Sequence, residues 1–447
     1  MSDTWTHRQI HELAPALAGG NVSPVELTEQ LLARAAASPL NAFTTLLHDQ
    51  ARSAADEAAR EIAAGLYRGP LHGVPLSIKD LFRVAGAPTT AASAVTSRTP
   101  SSRDAPVVAR LRAAGAVVLG TCNLHEFAFG TTGEDSAFGP ALHPLDQSRS
   151  PGGSSGGSAV SVAAGLAFAS LGTDTGGSVR IPAAACGLVG LKPTFGEITC
   201  DGVIPLAPTL DHVGPLARSV TDARLIYHAI RDEGPGASPT VPTDGRLGCP
   251  RPYFFDLLDP SVRTVTEQAL TCLDDAGWLV SDTPIAHAAD TAAVCLHLVL
   301  AEAAAMHADG LEHHAERYTS GVRLRLELGR YVQAEDHVRA ERGRQVLREA
   351  TDAALEGQSA LVLPALAIPA HTLGTEVVDF GSARESLRNV MLRLTQLFNA
   401  TGHPAVSIPC GMTPDGLPVG LQLVGRRQHT DQLLAVAEAC EAVLAGG

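Results

Sequence analysis

Two serine-bearing glycine clusters and one lysine carry the chemistry that this sequence suggests. The clusters occupy residues 152–158 and 176–178 and flank a segment of small apolar residues. Consecutive N–H groups in Thr175-Gly176-Gly177-Ser178 have little side chain around them, so they can form an oxyanion hole for a tetrahedral intermediate. Ser178 would then be the attacking hydroxyl.

A serine hydroxyl is a weak nucleophile until a base removes its proton. Lys79 ends an apolar segment, and burial lowers the pKa of a lysine because it disfavours the charged amine. Lys79 is therefore the candidate base, and a serine of the first cluster can relay the proton from Ser178. The alternative for Lys79 is an exposed side chain at the end of a strand.

Other chemistries fit the sequence less well. Residues 152–156 match the GxSxG pattern of a nucleophile elbow, but the residues before them are polar and end in Pro151, where an elbow needs a strand. The same run lacks the Gly-Lys-Ser/Thr ending of a phosphate loop, and no GxGxxG follows a strand. No Cys/His cluster has zinc spacing. We predict no metal and no other cofactor.

The elements around these residues predict how they come together. Residues 71–80 are predicted to form a turn and a short buried strand, and residues 159–167 a tightly packed helix between the clusters. Helix and strand signals alternate on both sides of residues 233–242, a Gly/Pro-rich stretch that we interpret as a surface linker. The sequence predicts an α/β fold: a single large domain over residues 1–447, with a central mixed β-sheet covered by helices on both faces.

Signals at the chain ends add five elements to this prediction. The first helix is predicted over residues 6–17, and the second begins at Ser23, an N-cap followed by Pro24. A strand pair is predicted at residues 404–411 and 419–425, and a closing helix at residues 431–444.

Composition excludes several classes of protein. The 447 residues are 45% hydrophobic and 18% charged, which is typical of a globular chain with a large core. The formal net charge of −14 argues against a general nucleic-acid binder. Polar residues interrupt every long apolar run, so no membrane span is predicted, and the polar start predicts a cytoplasmic protein. The eight cysteines form no CxxC pair, which indicates free thiols.

Several blocks of sequence resemble the amidase signature family. They are residues 152–158, 172–182 and 186–194, with further similarity at residues 73–80, 121–127 and 402–411. The resemblance covers nearly the whole chain and is weakest between about residues 233 and 360. It implies the amidase signature fold, with a signature core at about residues 70–220 and a variable, substrate-facing helical region at about residues 295–350.

The resemblance also implies catalytic roles. Lys79 matches the base of the family, Ser154 the bridging serine that follows a cis peptide bond, and Ser178 the nucleophile. The N–H groups of residues 175–178 match the oxyanion hole. The implied mechanism moves a proton from Ser178 through Ser154 to neutral Lys79, forms an acyl-enzyme and then hydrolyses it.

Neighbouring residues receive supporting roles. Ala128 matches a position whose backbone borders the substrate, and Phe129 in the same loop either lines an acyl pocket or packs in the core. Arg180 either binds a substrate carboxylate, as in relatives that take acidic amides, or pins its own loop. Four residues are expected to brace the site through hydrogen bonds, although each could equally cap a loop: Asp80, Ser155, Thr173 and Asp174.

Two functions are compatible with these motifs. The first is an amidohydrolase that acts alone on small or aryl amides, esters or carbamates. The alternative is the glutaminase (A) subunit of a tRNA-dependent amidotransferase, which works in a complex and passes ammonia to a partner. Three features favour the hydrolase: the rather short chain, His125 where the glutaminase typically has an acidic residue, and a segment at residues 301–344 without the expected tyrosine- and glycine-rich sequence.

The expected partner is a small-molecule amide, ester or carbamate, with no nucleic-acid and no membrane partner. The sequence leaves the oligomeric state open, and a homodimer is common among the relatives.

Overall fold

An eleven-stranded mixed sheet forms the centre of the fold. The structure, a computed structural model, describes residues 5–231 and 245–446. The stretch at residues 233–242, interpreted above as a linker, lies outside the described residues.

Sixteen helices and thirteen strands are present in the described residues. The helices are α1 (Ile10–Ala18), α2 (Pro24–Ala37), α3 (His48–Ala63), α4 (Pro106–Ala113), α5 (Gly156–Ala163), α6 (Arg180–Ala185), α7 (Val220–Ile230), α8 (Arg251–Phe254), α9 (Pro260–Asp275), α10 (Thr291–Met306), α11 (Ala308–His314), α12 (Ser320–Gly329), α13 (Ala334–Ala354), α14 (Leu387–Leu392), α15 (Gln396–Ala400) and α16 (Thr430–Gly446). The strands are β1 (Phe43–Leu46), β2 (Pro75–Lys79), β3 (Val117–Cys122), β4 (Ser170–Asp174), β5 (Val189–Lys192), β6 (His212–Ala217), β7 (Arg246–Cys249), β8 (Leu279–Asp282), β9 (Ala360–Pro364), β10 (Val377–Asp379), β11 (Arg384–Ser386), β12 (Ala405–Met412) and β13 (Pro418–Val424).

The main sheet has the strand order β1-β3-β2-β4-β6-β5-β12-β13-β9-β7-β8, and β10 and β11 pair separately. Parallel pairs at β3-β2-β4 and at β9-β7-β8 flank an antiparallel centre. Helices flank this mixed sheet, so the predicted α/β fold class is confirmed. One hydrophobic cluster runs from Ile10 to Cys440 and joins the two ends of the chain in the same core.

The parallel pairing of β2 with β4 matters most for the site. Ile78 lies opposite Leu171, so the carboxyl ends of both strands meet at one edge of the sheet. All five residues of β2 are buried, Lys79 included. Burial of the whole strand explains its apolar sequence and brings Lys79 to the loops that follow β4.

Local signals predicted most element boundaries to within a few residues. α2 begins at Pro24, and Ser23 Oγ accepts a hydrogen bond from Glu26 N at 3.4 Å. β12 and β13 form the predicted antiparallel pair, and α16 closes the chain. The first helix begins at Ile10 rather than at residue 6, and Gln9 and Glu12 form its capping box. α5 begins at Gly156, three residues before the predicted start, because Gly156 and Gly157 form its first turn.

By length and composition, one helix of the described residues, Ala288–Met306, is apolar enough to cross a membrane. In this fold α10, which makes up most of that segment, packs against α12, α13 and α15. Its buried residues include Val294 and Leu298, which belong to the main core. Packing between helices therefore accounts for the apolar composition of α10.

Candidate active site

Lys79 lies at the centre of the site and is fully buried. Its Nζ donates to Ser154 Oγ at 2.8 Å and to Thr173 Oγ1 at 2.7 Å, and it lies 3.4 Å from Thr173 O. Burial lowers the pKa of Lys79 to about 7, although the negative charges of Asp174 and Asp211 oppose that shift. A lysine with this pKa has a neutral fraction large enough at neutral pH to accept a proton.

Ser154 lies in the turn before α5, and its side chain is fully buried. The Gly153–Ser154 peptide bond is cis, as the resemblance implies. The loop at Gly153 is tightly packed, since a Cβ there would lie 2.7 Å from Gly133 N. His125 N donates to Ser154 O at 3.1 Å and ties this turn to the loop after β3.

Ser178 lies in the loop between β4 and α6. Ser155 N donates to Ser178 O at 3.2 Å, so the two serine-bearing loops are joined through their backbones. Within residues 5–231 and 245–446, no hydrogen bond links the Ser154 and Ser178 hydroxyls. Hydrogen bonds between catalytic groups are often long before substrate binds, so this arrangement is compatible with a relay between the two hydroxyls.

The loop of residues 175–178 is held by Asp174 from below. Gly177 N donates to Asp174 Oδ1 at 2.8 Å, and Val179 N donates to Asp174 Oδ2 at 3.1 Å. The predicted set of four oxyanion donors is therefore too large, because the Gly177 N–H already has a carboxylate acceptor. The described residues give no acceptor to the N–H groups of Thr175, Gly176 and Ser178, so these three are the candidate donors.

Gly177 is a glycine for a geometric reason. Its φ of 138° is a conformation that L side chains rarely adopt. A Cβ at this position would also lie 2.8 Å from Thr395 Cβ and 2.7 Å from Ile181 Cδ1. Any side chain here would shift the loop that presents Ser178.

Arg180 does not face the cleft, which corrects its assignment as a substrate-binding residue. Its guanidinium is completely buried. Nε and Nη2 bind the two oxygens of Asp174 at 3.0 and 2.9 Å, and Nη1 donates to Gln422 Oε1 at 2.6 Å and to Thr395 O at 3.0 Å. Nη2 also donates to Asn399 Oδ1 at 2.6 Å. Protein acceptors occupy the side chain, so the alternative that Arg180 pins its own loop fits the geometry.

The Asp174 carboxylate is ionised by this arrangement. Burial raises the pKa of Asp174, but the Arg180 charge and its hydrogen bonds outweigh burial and hold the pKa well below its usual range. Asn399 Nδ2 adds a hydrogen bond to Asp174 Oδ1 at 2.8 Å. A buried, ionised Asp174 can therefore hold the Gly177 N–H and fix the loop that carries Ser178.

The other expected supporting residues lie beside the site. Ser155 Oγ donates to Thr173 O at 3.2 Å, and Thr173 is the β4 residue whose side chain binds Lys79. Asp80 accepts hydrogen bonds from Thr44 Oγ1 at 2.7 Å and from Thr90 N at 2.9 Å. Burial raises the pKa of Asp80 to about 6, although these hydrogen bonds act to lower it. Asp80 thus braces the loop after β2, whereas Thr173 contacts the lysine directly.

A cleft of about 220 Å³ opens over Ser178. Ala128 and Phe129 line it, as do Thr175 and Gly176. The predicted substrate-binding positions 128 and 129 therefore lie next to the candidate nucleophile, and position 180 does not.

The rest of the cleft lining was not predicted residue by residue. α10 and the segment around α14 and α15 supply much of it, and the polar residues from that segment are Arg388, Asn389 and Gln396. Of the helical region expected to face the substrate, about residues 295–350, only Cys295, Leu296 and Val299 reach the cleft. No local signal in the sequence marks Arg388, because it stands in a stretch that contains several similar arginine and apolar positions.

The remaining part of that helical region supports the cleft from behind. Phe127 packs edge-on against His307, with ring centroids 4.4 Å apart, and also contacts Tyr318. Burial lowers the pKa of His307 to about 4, so this histidine is neutral in the core of the cluster. The loop that carries Phe129 is thereby anchored to α11 and α12.

A second buried lysine lies near the loop and was missed in the sequence. Lys192 Nζ donates to Pro193 O at 3.0 Å and lies 3.2 Å from His212 Nε2. Burial holds the pKa of Lys192 well below its ordinary value. One sequence signal was available: Lys79 and Lys192 are the only two lysines in the chain, whereas its other basic side chains apart from histidine are arginines.

Comparison with known proteins identifies the family. The family model Amidase matches residues 26–434. The chain belongs to the amidase family. It is 38% identical to an amidase of Pseudomonas putida over 92% of this chain and 91% of the relative. It is 37% identical to the A subunit of glutamyl-tRNA(Gln) amidotransferase from Anaeromyxobacter dehalogenans (strain 2CP-C), over 97% of this chain and 95% of the relative.

The fold of this amidase-family chain has a solved counterpart. A crystal structure of an amidase superposes with a TM-score of 0.93 at 38% identity, and the match covers 97% of this chain and 99% of that one. The predicted family is confirmed, and with it the prediction of an enzyme that acts on carbon–nitrogen bonds. Within the described residues, no group of three or more His, Cys, Asp or Glu side chains is arranged to hold a metal ion.

Proposed function

We propose that this amidase-family protein is an amidohydrolase that acts through a Ser178–Ser154–Lys79 triad and a covalent acyl-enzyme. One observation carries the proposal. The buried Lys79 amine lies 2.8 Å from Ser154 Oγ. The loop that carries Ser154 is joined by a backbone hydrogen bond to the loop that carries Ser178, and Ser178 lines the cleft. The Lys79 pKa of about 7 suits a base that works at neutral pH.

The proton path follows from these positions. Neutral Lys79 accepts the hydroxyl proton of Ser154, and Ser154 accepts the hydroxyl proton of Ser178. Ser178 Oγ forms a bond to the substrate carbonyl carbon, and the carbonyl oxygen takes the negative charge. The N–H groups of Thr175, Gly176 and Ser178 are the donors proposed to bind that oxyanion.

Collapse of the tetrahedral intermediate breaks the C–N bond. The proton held by Lys79 returns through Ser154 to the leaving nitrogen, because an amine is a poor leaving group until it is protonated. Water then attacks the acyl–Ser178 ester along the same proton path and releases the acid. Esters and carbamates are also proposed substrates, since their carbonyl groups can undergo the same acyl transfer.

The size of the cleft bears on the substrate. A volume of about 220 Å³ lies below the roughly 300–1,000 Å³ of pockets for drug-sized ligands. We therefore propose substrates with a small acyl group. The reaction is proposed to take place in the cytoplasm. A homodimer is also proposed, because it is common in the family that the sequence resembles.

The second candidate function is the glutaminase (A) subunit of a tRNA-dependent amidotransferase. The observation in its favour is the 37% identity with the A subunit of an amidotransferase. The same triad and cleft would then release ammonia from glutamine for a partner protein. Against it, position 125 is a histidine, whose Nε2 lies 3.2 Å from Asp135 Oδ2, instead of a carboxylate.

The first experiment is hydrolysis by the purified chain alone. Simple aliphatic amides, a chromogenic anilide and an aryl carbamate are offered in separate assays, and product is followed with time. We expect turnover of at least one class without any partner. Activity that requires glutamine and the other amidotransferase subunits would instead support the second function.

The second experiment identifies the nucleophile. A fluorophosphonate probe should label the wild-type chain, and Ser178→Ala should abolish labelling because the attacking oxygen is gone. Ser154→Ala should be labelled slowly, and the exposed Ser97→Ala should behave as wild type. Labelling of Ser178→Ala at the wild-type rate would point instead to a serine of the 152–156 pattern.

A further inference from the structure

We propose that Arg388 recognises a carboxylate on the substrate, so that the preferred substrates are small amides that carry a carboxylate and no amino group. This inference rests on the proposed function and names the substrate class of the same cleft. Its starting point is an arginine that shares the cleft with Ser178 but has no hydrogen-bond or ion-pair partner in the described part of the protein.

The side chain of Arg388 is a cation without a counter-charge. In residues 5–231 and 245–446 it makes no hydrogen bond and no ion pair, and its Nε atom is buried without an acceptor. Burial, together with the nearby Arg325 charge, lowers the pKa of Arg388 to about 10, so the guanidinium remains charged at neutral pH. Arg388 is half-buried and its Nε is shielded from water, and a charge in such a position is costly unless an anion or hydrogen-bond acceptor compensates it.

The two neighbouring arginines, Arg325 and Arg393, also have a buried Nε without an acceptor, but unlike Arg388 they have acceptors at Nη2. Arg325 Nη2 lies 3.5 Å from Asp135 Oδ2 and 3.3 Å from His125 Nε2. Arg393 Nη2 donates to Tyr253 O at 2.8 Å. Both have acceptors within the protein, which leaves Arg388 as the guanidinium able to serve a ligand.

Phe129 brings the two cleft-side charges together. The Arg325 guanidinium carbon lies 5.4 Å from its ring centroid, and that of Arg388 lies 6.0 Å away. Asp135 is the carboxylate paired with this group, and it lies beside Arg325. Glu126 also stabilises the Arg325 charge, whereas no carboxylate of the described residues forms an ion pair with Arg388. A substrate carboxylate can match the free guanidinium with two hydrogen bonds.

The residues that line the cleft also argue against an amino group. No Asp or Glu side chain belongs to the lining drawn from the described residues, and Arg388 is the charged residue in it. Apolar side chains such as Leu210, Leu296 and Leu392 form much of the wall. An ammonium group would meet a like charge and no carboxylate, so an amino-acid amide such as glutamine fits the cleft less well than an analogue without the ammonium group.

The test compares matched amides. Succinamate carries the carboxylate on its acyl side, and butyramide has a similar size without charge. Asparagine is succinamate with an added ammonium group, and N-acetylglycine carries the carboxylate on the amine side. We expect kcat/KM for succinamate to exceed that for butyramide by about 10–100-fold, the range for a hydrogen-bonded charge. Preference for N-acetylglycine would support the carboxylate but assign it to the leaving group.

The variants separate recognition from folding. Arg388→Gln should lower kcat/KM for succinamate by about 10–100-fold more than it changes kcat/KM for butyramide, mainly through KM. Arg388→Lys keeps the charge and should recover part of the loss. The exposed Arg384→Gln on β11 is the control and should keep the wild-type preference.

A binding measurement covers the case in which turnover is slow. Succinate should raise the melting temperature of the wild-type chain and of Arg384→Gln, but not of Arg388→Gln. Equal kcat/KM for succinamate and butyramide, or equal stabilisation of wild type and Arg388→Gln by succinate, would overturn the inference and leave the proposed hydrolase intact. Absence of Ser178 labelling together with absence of turnover would overturn both.

Discussion

Replacement of Lys79 by methionine should abolish activity and remove the cost of a buried amine, so that the stability of the variant relative to the wild type is greatest at low pH. In the folded chain the Lys79 amine has a pKa of about 7 because burial disfavours its charge. In the unfolded chain it has the ordinary lysine value of about 10.4. Between these values the unfolded state binds one more proton than the folded state, so the free energy of unfolding of the wild type rises with pH.

The magnitude follows from the two pKa values. Each pH unit between them changes the free energy of unfolding by about 1.4 kcal/mol, and below pH 7 the full penalty of about 5 kcal/mol is present. Lys79→Met lacks this titration. It also loses the hydrogen bonds to Ser154 and Thr173, which adds an offset that does not depend on this proton. The pH dependence of the difference therefore tests the argument, whatever the size of the offset.

The assay is urea denaturation of both proteins at pH 7.5, 8.5 and 9.5. We expect the stability advantage of Lys79→Met over the wild type to shrink by about 3 kcal/mol across this range. Ser178→Ala is the control, since it leaves the lysine in place and should follow the wild-type slope. A difference between Lys79→Met and the wild type that stays constant with pH would refute a neutral, buried amine at position 79.

Two further predictions use the same site. In the wild type, kcat/KM should fall about tenfold per pH unit below pH 7 as Lys79 becomes protonated, and a flat profile from pH 5 to 9 would contradict a lysine base. Asp174→Asn should cost about 3–5 kcal/mol in thermal unfolding because it leaves the buried Arg180 charge uncompensated. The exposed Asp379→Asn should cost less than about 1 kcal/mol, and an equal loss in both variants would argue against a special role for Asp174.

The catalytic positions could be predicted because their signals are local. Glycine beside serine in a loop, and a lysine at the end of an apolar strand, each reflect a conformation or an environment that the neighbouring residues determine. The parallel pairing of β2 with β4 then brings these segments to one edge of the sheet. The sequence could not predict that the Asp174 carboxylate accepts the Gly177 N–H, which is then not available to an oxyanion. This depends on the orientation of Asp174, which its contact with Arg180 determines.

Arg180 and Arg388 show where local sequence stops being informative. Both lie in the first turn of a short helix with apolar residues nearby. The neighbouring sequence does not indicate whether the folded protein provides a hydrogen-bond acceptor for either guanidinium. Arg180 meets Gln422 and Asn399, more than 200 residues away along the chain, whereas Arg388 meets no acceptor in the described residues. The sequence therefore suggests Arg180 of the signature motif as the substrate-facing arginine, whereas the arginine proposed to face the substrate lies on α14.

This separation has a consequence for the family. The groups proposed to break the amide bond come from β2, β4 and the loops beside them, which the motifs define. The groups proposed to recognise the substrate come from α10 and α14, which the motifs do not define. A relative named amidase and one named for the amidotransferase can therefore share nearly the same identity with this chain, 38% and 37%, while differing in what they bind. A lone guanidinium at position 388 is thus better evidence about the substrate of this protein than its overall similarity to either relative.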